Sequence, residues 1–190
     1  MQISRMNKSY KDIFYSNNYL ILNNFIESKR AEELYKQFKE DVKTNPQFFL
    51  VDDQCPLSFS IYNYKPFLNI LCEKIKDVSD IMEESMLPTY TYARIYKNNE
   101  ILEKHVDRPS CEISITLHLG GDHEWPIWMT KPNGKEVSIE LKPGQAVMYN
   151  GVVSTHWRDK FKGFEYGQVF LHYVRGEGIY WEHYGDRSNA

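Results

Sequence analysis

His105-Val106-Asp107 sets an imidazole and a carboxylate two residues apart. On a strand, side chains at that spacing project to one face, so the pair can hold one edge of a metal ion without bending the backbone. A third ligand must come from elsewhere. The chain has 6 histidines, the others being His118, His123, His156, His172 and His183. His156 is the best placed of these. It follows Pro143-Gly144 and an apolar run at 146–149, so a later strand can return it to the first pair. Two histidines and one carboxylate on a single face leave three adjacent coordination positions open, which suits ferrous iron that must take a cosubstrate and O₂ together. An HxD alone is weak, and an isolated His105 would read as an ordinary surface or core histidine. Its weight comes from the elements around it.

Those elements change character near residue 88. Before it, Tyr19-Leu20-Ile21-Leu22 reads as a short strand and Ser28 as a helix cap. Ala31, Leu34, Tyr35, Phe38 and Val42 recur at helical spacing, with Pro46 just beyond. A second amphipathic helix starts near Pro66 and carries Phe67, Leu68, Leu71, Ile75, Val78 and Met82 on one face, with Cys72 near it as a core residue; Pro88 closes that region. Both helices read as scaffold.

After residue 88 the pattern alternates. Tyr90, Tyr92, Arg94 and Tyr96 share one strand face. Ile113, Ile115, Leu117 and Leu119 face one way; Glu112, Ser114, Thr116 and His118 face the other. Val137, Ile139 and Leu141 alternate again, and 146–149 and 168–174 complete the set. Gly120-Gly121, Pro132-Asn133-Gly134 and Pro143-Gly144 supply the turns. Strands at this spacing, with helices confined to the first half, give an α+β chain that is mainly β and ends in a sandwich or barrel.

Composition narrows the function classes. At 190 residues, 42% hydrophobic, the chain is long enough for one domain with its own core. A net charge of −3 supplies no basic field for nucleic acid or anionic membrane, so both are disfavoured as partners. Cys55, Cys72 and Cys111 contain no CxxC and form neither a zinc ribbon nor a disulfide framework. A reducing compartment and a cytoplasmic location are the expectation, since residues 1–8 are polar and no run spans a membrane.

Arg94-Ile95-Tyr96 followed by Leu102 through Asp107 resembles the R-x-Y…H-x-D motif of 2-oxoglutarate/Fe(II) dioxygenases of the prolyl 4-hydroxylase type. The strand at 113–119, the strand and turn running through Pro143-Gly144-Gln145-Ala146 to Tyr149, His156 in the distal-histidine place and the closing strand at 168–174 are similar to that family in the same order. The N-terminal strand and helix match too, so the resemblance spans nearly the whole chain and is firmest over 89–175. It implies a double-stranded β-helix (jelly-roll) core at 89–178, supported by an N-terminal strand and helices within 1–88 and followed by a tail at 179–190, all one domain. It further implies Fe(II), O₂ and 2-oxoglutarate, with ascorbate as an admissible auxiliary, and oxidative decarboxylation to succinate and CO₂ coupled to hydroxylation of a protein side chain or small molecule. In that scheme His105, Asp107 and His156 hold the iron.

The sequence departs from the family at one point. A Lys or Arg is expected about ten residues after the distal histidine, to pair with the far carboxylate of 2-oxoglutarate; position 166 is Tyr. Arg158, two residues past His156, is the first substitute and Arg94 the second; Arg94 shares a face with Tyr96, which matches the family's cosubstrate-contacting tyrosine. An ion pair with Glu112 or another acid is the plain reading of either arginine. Thr116, His118, Tyr166 and Gln168 are candidates for hydrogen bonds to the same carboxylate. Arg108, in the loop leaving the HxD, is a candidate substrate contact, with Glu112 and Trp128 as further ones; the plain reading of 125–128 is a strand edge packed on the core. Cys111 reads as a buried thiol, His172 as a satisfied core histidine, and the aromatic tail at 180–184 as a segment docked on the sandwich. Two other function classes compete: a metal-free jelly-roll binding module, and a cupin-like metalloenzyme that does not use 2-oxoglutarate.

Overall fold

Alternation after residue 88 builds two antiparallel sheets that face each other, and the N-terminal third closes over the larger. The computed structural model describes residues 8–186. In chain order the elements are α1 (Tyr10–Asn17), β1 (Tyr19–Leu22), α2 (Ser28–Thr44), β2 (Leu50–Asp52), β3 (Cys55–Tyr62), α3 (Lys65–Glu73), α4 (Ile75–Met82), β4 (Met86–Lys97), β5 (Leu102–His105), β6 (Ile113–Gly121), β7 (Ile127–Thr130), β8 (Glu136–Ile139), β9 (Ala146–Asn150), β10 (His156–Arg158) and β11 (Glu165–Arg175). The larger sheet runs β1-β9-β6-β11-β4-β3-β2 and the smaller β5-β10-β7-β8. This is an α+β, mainly β, jelly-roll architecture. No helix among the described residues is long and apolar enough to cross a membrane.

The helices cover the outer face of the larger sheet. Phe38, Phe67, Ile70, Val78 and Met82 pack there with Ile113, Ile115, Leu117 and Leu119 of β6 and Val169 and Leu171 of β11. Phe38 is fully buried and meets Phe67 edge-on at 5.3 Å; truncating such a ring to Ala costs about 3–5 kcal/mol. Both faces of β6 are inside: Glu112, Ser114, Thr116 and His118 are as buried as the apolar set.

Several local expectations are corrected. The cap position of α2 is Glu27, without a side-chain bond, and Ser28 is already helical. The helix from Pro66 breaks at Lys74 into α3 and α4. Cys72 is exposed, because it falls just off the apolar stripe. Pro88 lies inside β4, at a break in the β4–β11 register between Leu171 and Tyr173, where a residue without an N–H is tolerated. Gly120-Gly121 belongs to β6 rather than a turn; a side chain at Gly120 would collide with the Tyr35 ring of α2 at 2.6 Å. Gly144 does make a turn, at φ +86. Trp125 and Ile127 pack in the core as expected, but Ile127 and Trp128 are not at a sheet edge, since β7 lies between β10 and β8. The tail docks by backbone, Gly185 N donating to Pro88 O, while the rings of Trp181 and Tyr184 stay exposed. The helix α1 and the β2–β3 hairpin were not expected.

Candidate metal centre

The β5–β10 ladder brings the three sequence-selected ligands together. His156 pairs with His105 across it, ring centroids 4.3 Å apart. Asp107 follows β5, its N–H donating to Gly151 O at 2.8 Å. Its Oδ1 lies 3.6 Å from His105 Nε2 and 3.5 Å from His156 Nε2. Ligand atoms of all three fall within 4.8 Å of one another. Each imidazole has its Nδ1 against a backbone carbonyl, Glu103 O at 2.8 Å and Ser154 O at 2.9 Å. A carbonyl only accepts, so both rings carry the proton on Nδ1 and turn a bare Nε2 inward, the form a metal requires. Burial lowers the pKa of His156, which favours that neutral form.

Asp107, Cys111 and His172 make a second cluster of comparable size. It fits a metal less well. Burial pushes the Cys111 thiol up to about 12, which keeps it protonated, and His172 Nδ1 is engaged by Ser114 at 2.9 Å.

A cavity of about 380 Å³ opens over the first cluster, lined by Tyr90, Tyr92 and Arg94 of β4, Phe170 and His172 of the adjacent β11, and Arg108. Arg94 sits at its mouth and is fully occupied. Its Nη2 meets Asp52 at 2.6 Å and Gln54 at 2.8 Å, and its Nη1 reaches Tyr96 OH at 3.4 Å. Arg108 lies over the Tyr90 ring at 4.6 Å and pairs with Asp186 at 3.5 Å.

Arg158 is placed quite differently. It is 1% exposed, lies over the Trp125 and Tyr166 rings at 4.9 and 5.0 Å, and donates from Nη1 to Trp125 O. Its Nε and Nη2 are buried without a hydrogen-bond partner among the described residues. Two more orphaned atoms are buried on neighbouring strands, His118 Nδ1 and Gln168 Oε1. Gln168 Nε2 donates to Thr116 Oγ1, and His118 stacks on Tyr166 at 4.2 Å. Burial and the Arg158 charge push His118 down to about 3. Tyr96 is fully buried, edge-on to Trp125 at 4.8 Å. Arg158 itself does not line the cavity over the metal cluster; Leu102 and Phe170 do.

Two candidate substrate contacts lie elsewhere. Glu112 accepts from Arg175 N at 2.9 Å and Nε at 2.7 Å, so its carboxylate is spent on β11. Trp128 stacks on Trp157 at 5.9 Å, while its neighbours Ile127 and Met129 are the buried residues of β7. Sequence reasoning missed Gly151, Tyr149 and the Asp52–Arg94 pair. Gly151 left only a glycine between a strand and a histidine as its signal.

No family model and no curated protein matches the chain. Solved structures do. A Pseudomonas putida prolyl-4-hydroxylase aligns over 87% of this chain and 97% of its own, at 11% identity and TM-score 0.68. HygX from Streptomyces hygroscopicus, solved with nickel and 2-oxoglutarate, aligns over 87% and 85% at 11% identity and TM-score 0.68. The α-ketoglutarate-dependent carbocyclase SnoK of nogalamycin biosynthesis gives TM-score 0.74 at 5% identity, over 90% and 85%. The chain shares the fold of these non-haem oxygenases. At such identities the likeness speaks for the fold, and chemistry has to be argued from the site.

Proposed function

We propose that the chain is a non-haem Fe(II)- and 2-oxoglutarate-dependent oxygenase that hydroxylates a protein side chain or a small molecule, with His105, Asp107 and His156 as the iron ligands. The observation that carries this is the coexistence of a converging His–Asp–His set and a buried arginine with unpaired nitrogens. The donor set fits the metal: two neutral imidazoles and one carboxylate match the facial arrangement that leaves positions for a chelating cosubstrate and O₂. The orphaned Nε and Nη2 of Arg158 fit a carboxylate, which accepts from a guanidinium through two parallel bonds. An unpaired buried guanidinium is costly, and an anionic ligand offsets that cost. When bound, iron with 2-oxoglutarate supplies an oxidant that transfers one oxygen atom to substrate and releases succinate and CO₂.

This chain's own residues have more modest tasks. The backbone carbonyls of Glu103 and Ser154 orient the two imidazoles. Ser114 and the Gly151 carbonyl fix Asp107. Arg158, with Thr116, His118, Tyr166 and Gln168 around it, receives the distal carboxylate. Tyr96 backs that cluster, while Arg94 braces the mouth through Asp52. Arg108 is the best placed of the substrate-contact candidates, because it lines the cavity and Glu112 and Trp128 do not.

Adding Fe(II) and 2-oxoglutarate to the protein without oxygen tests the reading. A metal-to-ligand visible band is expected. Its absence, with no succinate release across a panel of peptides, amino acids and small molecules, would leave a jelly-roll binding module as the better description.

A further inference from the structure

His172 lines the cavity and belongs to neither the proposed iron ligands nor the carboxylate cluster. Its ring is 5% exposed and lies 4.5 Å from Tyr90. Three atoms surround one hydroxyl here. Ser114 Oγ is 2.9 Å from His172 Nδ1, 3.0 Å from Asp107 Oδ2 and 3.0 Å from Cys111 O. The carboxylate and the carbonyl can only accept, and Ser114 has one proton to give. If that proton pointed at His172, two oxygens would face the hydroxyl oxygen with nothing between them, one of them anionic. The one proton goes to the stronger of the two oxygen acceptors, the anionic Asp107 Oδ2, and His172 Nδ1 is then the donor to Ser114.

Burial holds the ring neutral. A neutral imidazole with its proton on Nδ1 has only a lone pair at Nε2. That nitrogen has no hydrogen-bond partner among the described residues. Other polar groups of this wall are engaged: Tyr92 OH by Asp52, Tyr90 OH by Cys111 and Arg108, and Arg94 by Asp52.

Resting on the oxygenase reading of the cavity, we propose that His172 Nε2 is a hydrogen-bond acceptor that selects substrates carrying an O–H or N–H group within reach of β11. Tyr90, Tyr92 and Phe170 supply the apolar walls around that group. A substrate whose donor is methylated would leave the lone pair buried and unpaired. Rejection of about tenfold or more follows from the cost of an unmade buried hydrogen bond.

The test uses the full-length, metal-free protein with ¹⁵N-labelled histidine at pH 7. Correlation spectra of the ring nitrogens, assigned with His172→Phe, should show His172 with a protonated Nδ1 and a bare Nε2. Ser114→Ala should convert it to a mixture of tautomers. A proton on Nε2 in the unsubstituted protein, or an imidazolium at that pH, overturns the inference. Benzamide should then shift the His172 Nε2 resonance and N,N-dimethylbenzamide should not. An equal response to both, or to neither, also counts against the acceptor role. Neither measurement needs iron or turnover, so failure here is separable from failure of the iron and 2-oxoglutarate assay.

Discussion

His105 stands directly opposite His156 in the antiparallel β5–β10 ladder. Side chains of facing residues in such a ladder meet on one face, so the second imidazole of the proposed ligand set is delivered by sheet register and no flexible loop has to find it. Beyond this pair the register slips, and Arg158 pairs with Leu102. The bulge lies on the β5 side and leaves His156 and Arg158 both pointing inward, where each is buried.

Asp107 completes the set from the residue pair that follows β5. Asp107→Ala should abolish stoichiometric divalent-metal binding and 2-oxoglutarate turnover while circular dichroism and the melting transition stay near those of the parent. Metal analysis of the purified variant checks this. Full iron occupancy with retained activity would show that the ligand set is wrong.

Gly151 is the least conspicuous part of this arrangement. Its carbonyl takes the Asp107 N–H, and a Cβ built on it would lie 2.2 Å from Cys111 O and 2.6 Å from Asp107 Oδ2. Neither neighbour is free to move away, because one is backbone and the other a carboxylate held by Ser114 Oγ at 3.0 Å. Gly151→Ala should therefore weaken metal binding by at least tenfold, about 1.4 kcal/mol, and lower the melting temperature. Calorimetric titration with Co(II) measures the first effect. Unchanged affinity would mean that the Asp107 carboxylate tolerates a shift at this strand end.

The convergence of His105, Asp107 and His156 was legible because order and period carry it: HxD reads as one strand face, and a histidine after a turn and a strand can return to it. The jelly-roll was legible for the same reason, through alternation at 90–96, 113–119 and 168–174. What was illegible depends on pairing. Nothing in the sequence distinguished Arg94, paired to Asp52, from Arg158, which has no acidic partner, since the deciding residue is 42 positions upstream of Arg94 on a hairpin that went unrecognised. His172 is the buried, hydrogen-bonded histidine that the sequence suggested, but its partner Ser114 lies 58 residues away and was not foreseen. The single helix expected from Pro66 failed for a local reason, the break at Lys74, which an unbroken apolar stripe conceals.

Acid should destabilise the metal-free protein earlier than its carboxylates would. His118 has an ordinary value of 6.5 and is pushed down to about 3 by burial and by Arg158. Between those values the unfolded chain binds a proton that the folded chain does not, so stability falls as the pH drops. The contribution is complete above about pH 6.5 and is lost progressively toward pH 3. By pH 5 the loss reaches about 2 kcal/mol, at 1.36 kcal/mol per unit. His172, pushed down to about 4, acts in the same direction. Urea midpoints at pH 7 and pH 5 should therefore differ more for the unsubstituted protein than for His118→Gln. Equal differences would show that His118 is protonated, or solvated, in the folded state.

Arg158 offers the sharpest separation between structure and function. Its guanidinium is buried over two aromatic rings with Nε and Nη2 unpaired, a burden on the ligand-free fold. Replacing a buried charge by an apolar side chain of similar length is often neutral or stabilising by about 1–4 kcal/mol. Arg158→Met should thus melt no lower than the parent when ligand-free. Cosubstrate affinity should move the opposite way. Charge-assisted bonds to a carboxylate contribute about 1.5–3 kcal/mol, so their loss weakens 2-oxoglutarate binding by roughly one to two decades. Ligand binding raises the melting point only in proportion to its affinity for the folded state. The upward shift that 2-oxoglutarate gives the metal-loaded parent under anaerobic conditions should consequently shrink or vanish in Arg158→Met. Arg94→Met should retain it, because Arg94 is already committed to Asp52 at 2.6 Å. Were Arg158→Met to keep the full shift while Arg94→Met lost it, the distal carboxylate would belong to Arg94. A ligand-free Arg158→Met that melted far below the parent would mean that the Nη1 bond to Trp125 O and the two ring contacts outweigh the cost of the unpaired nitrogens.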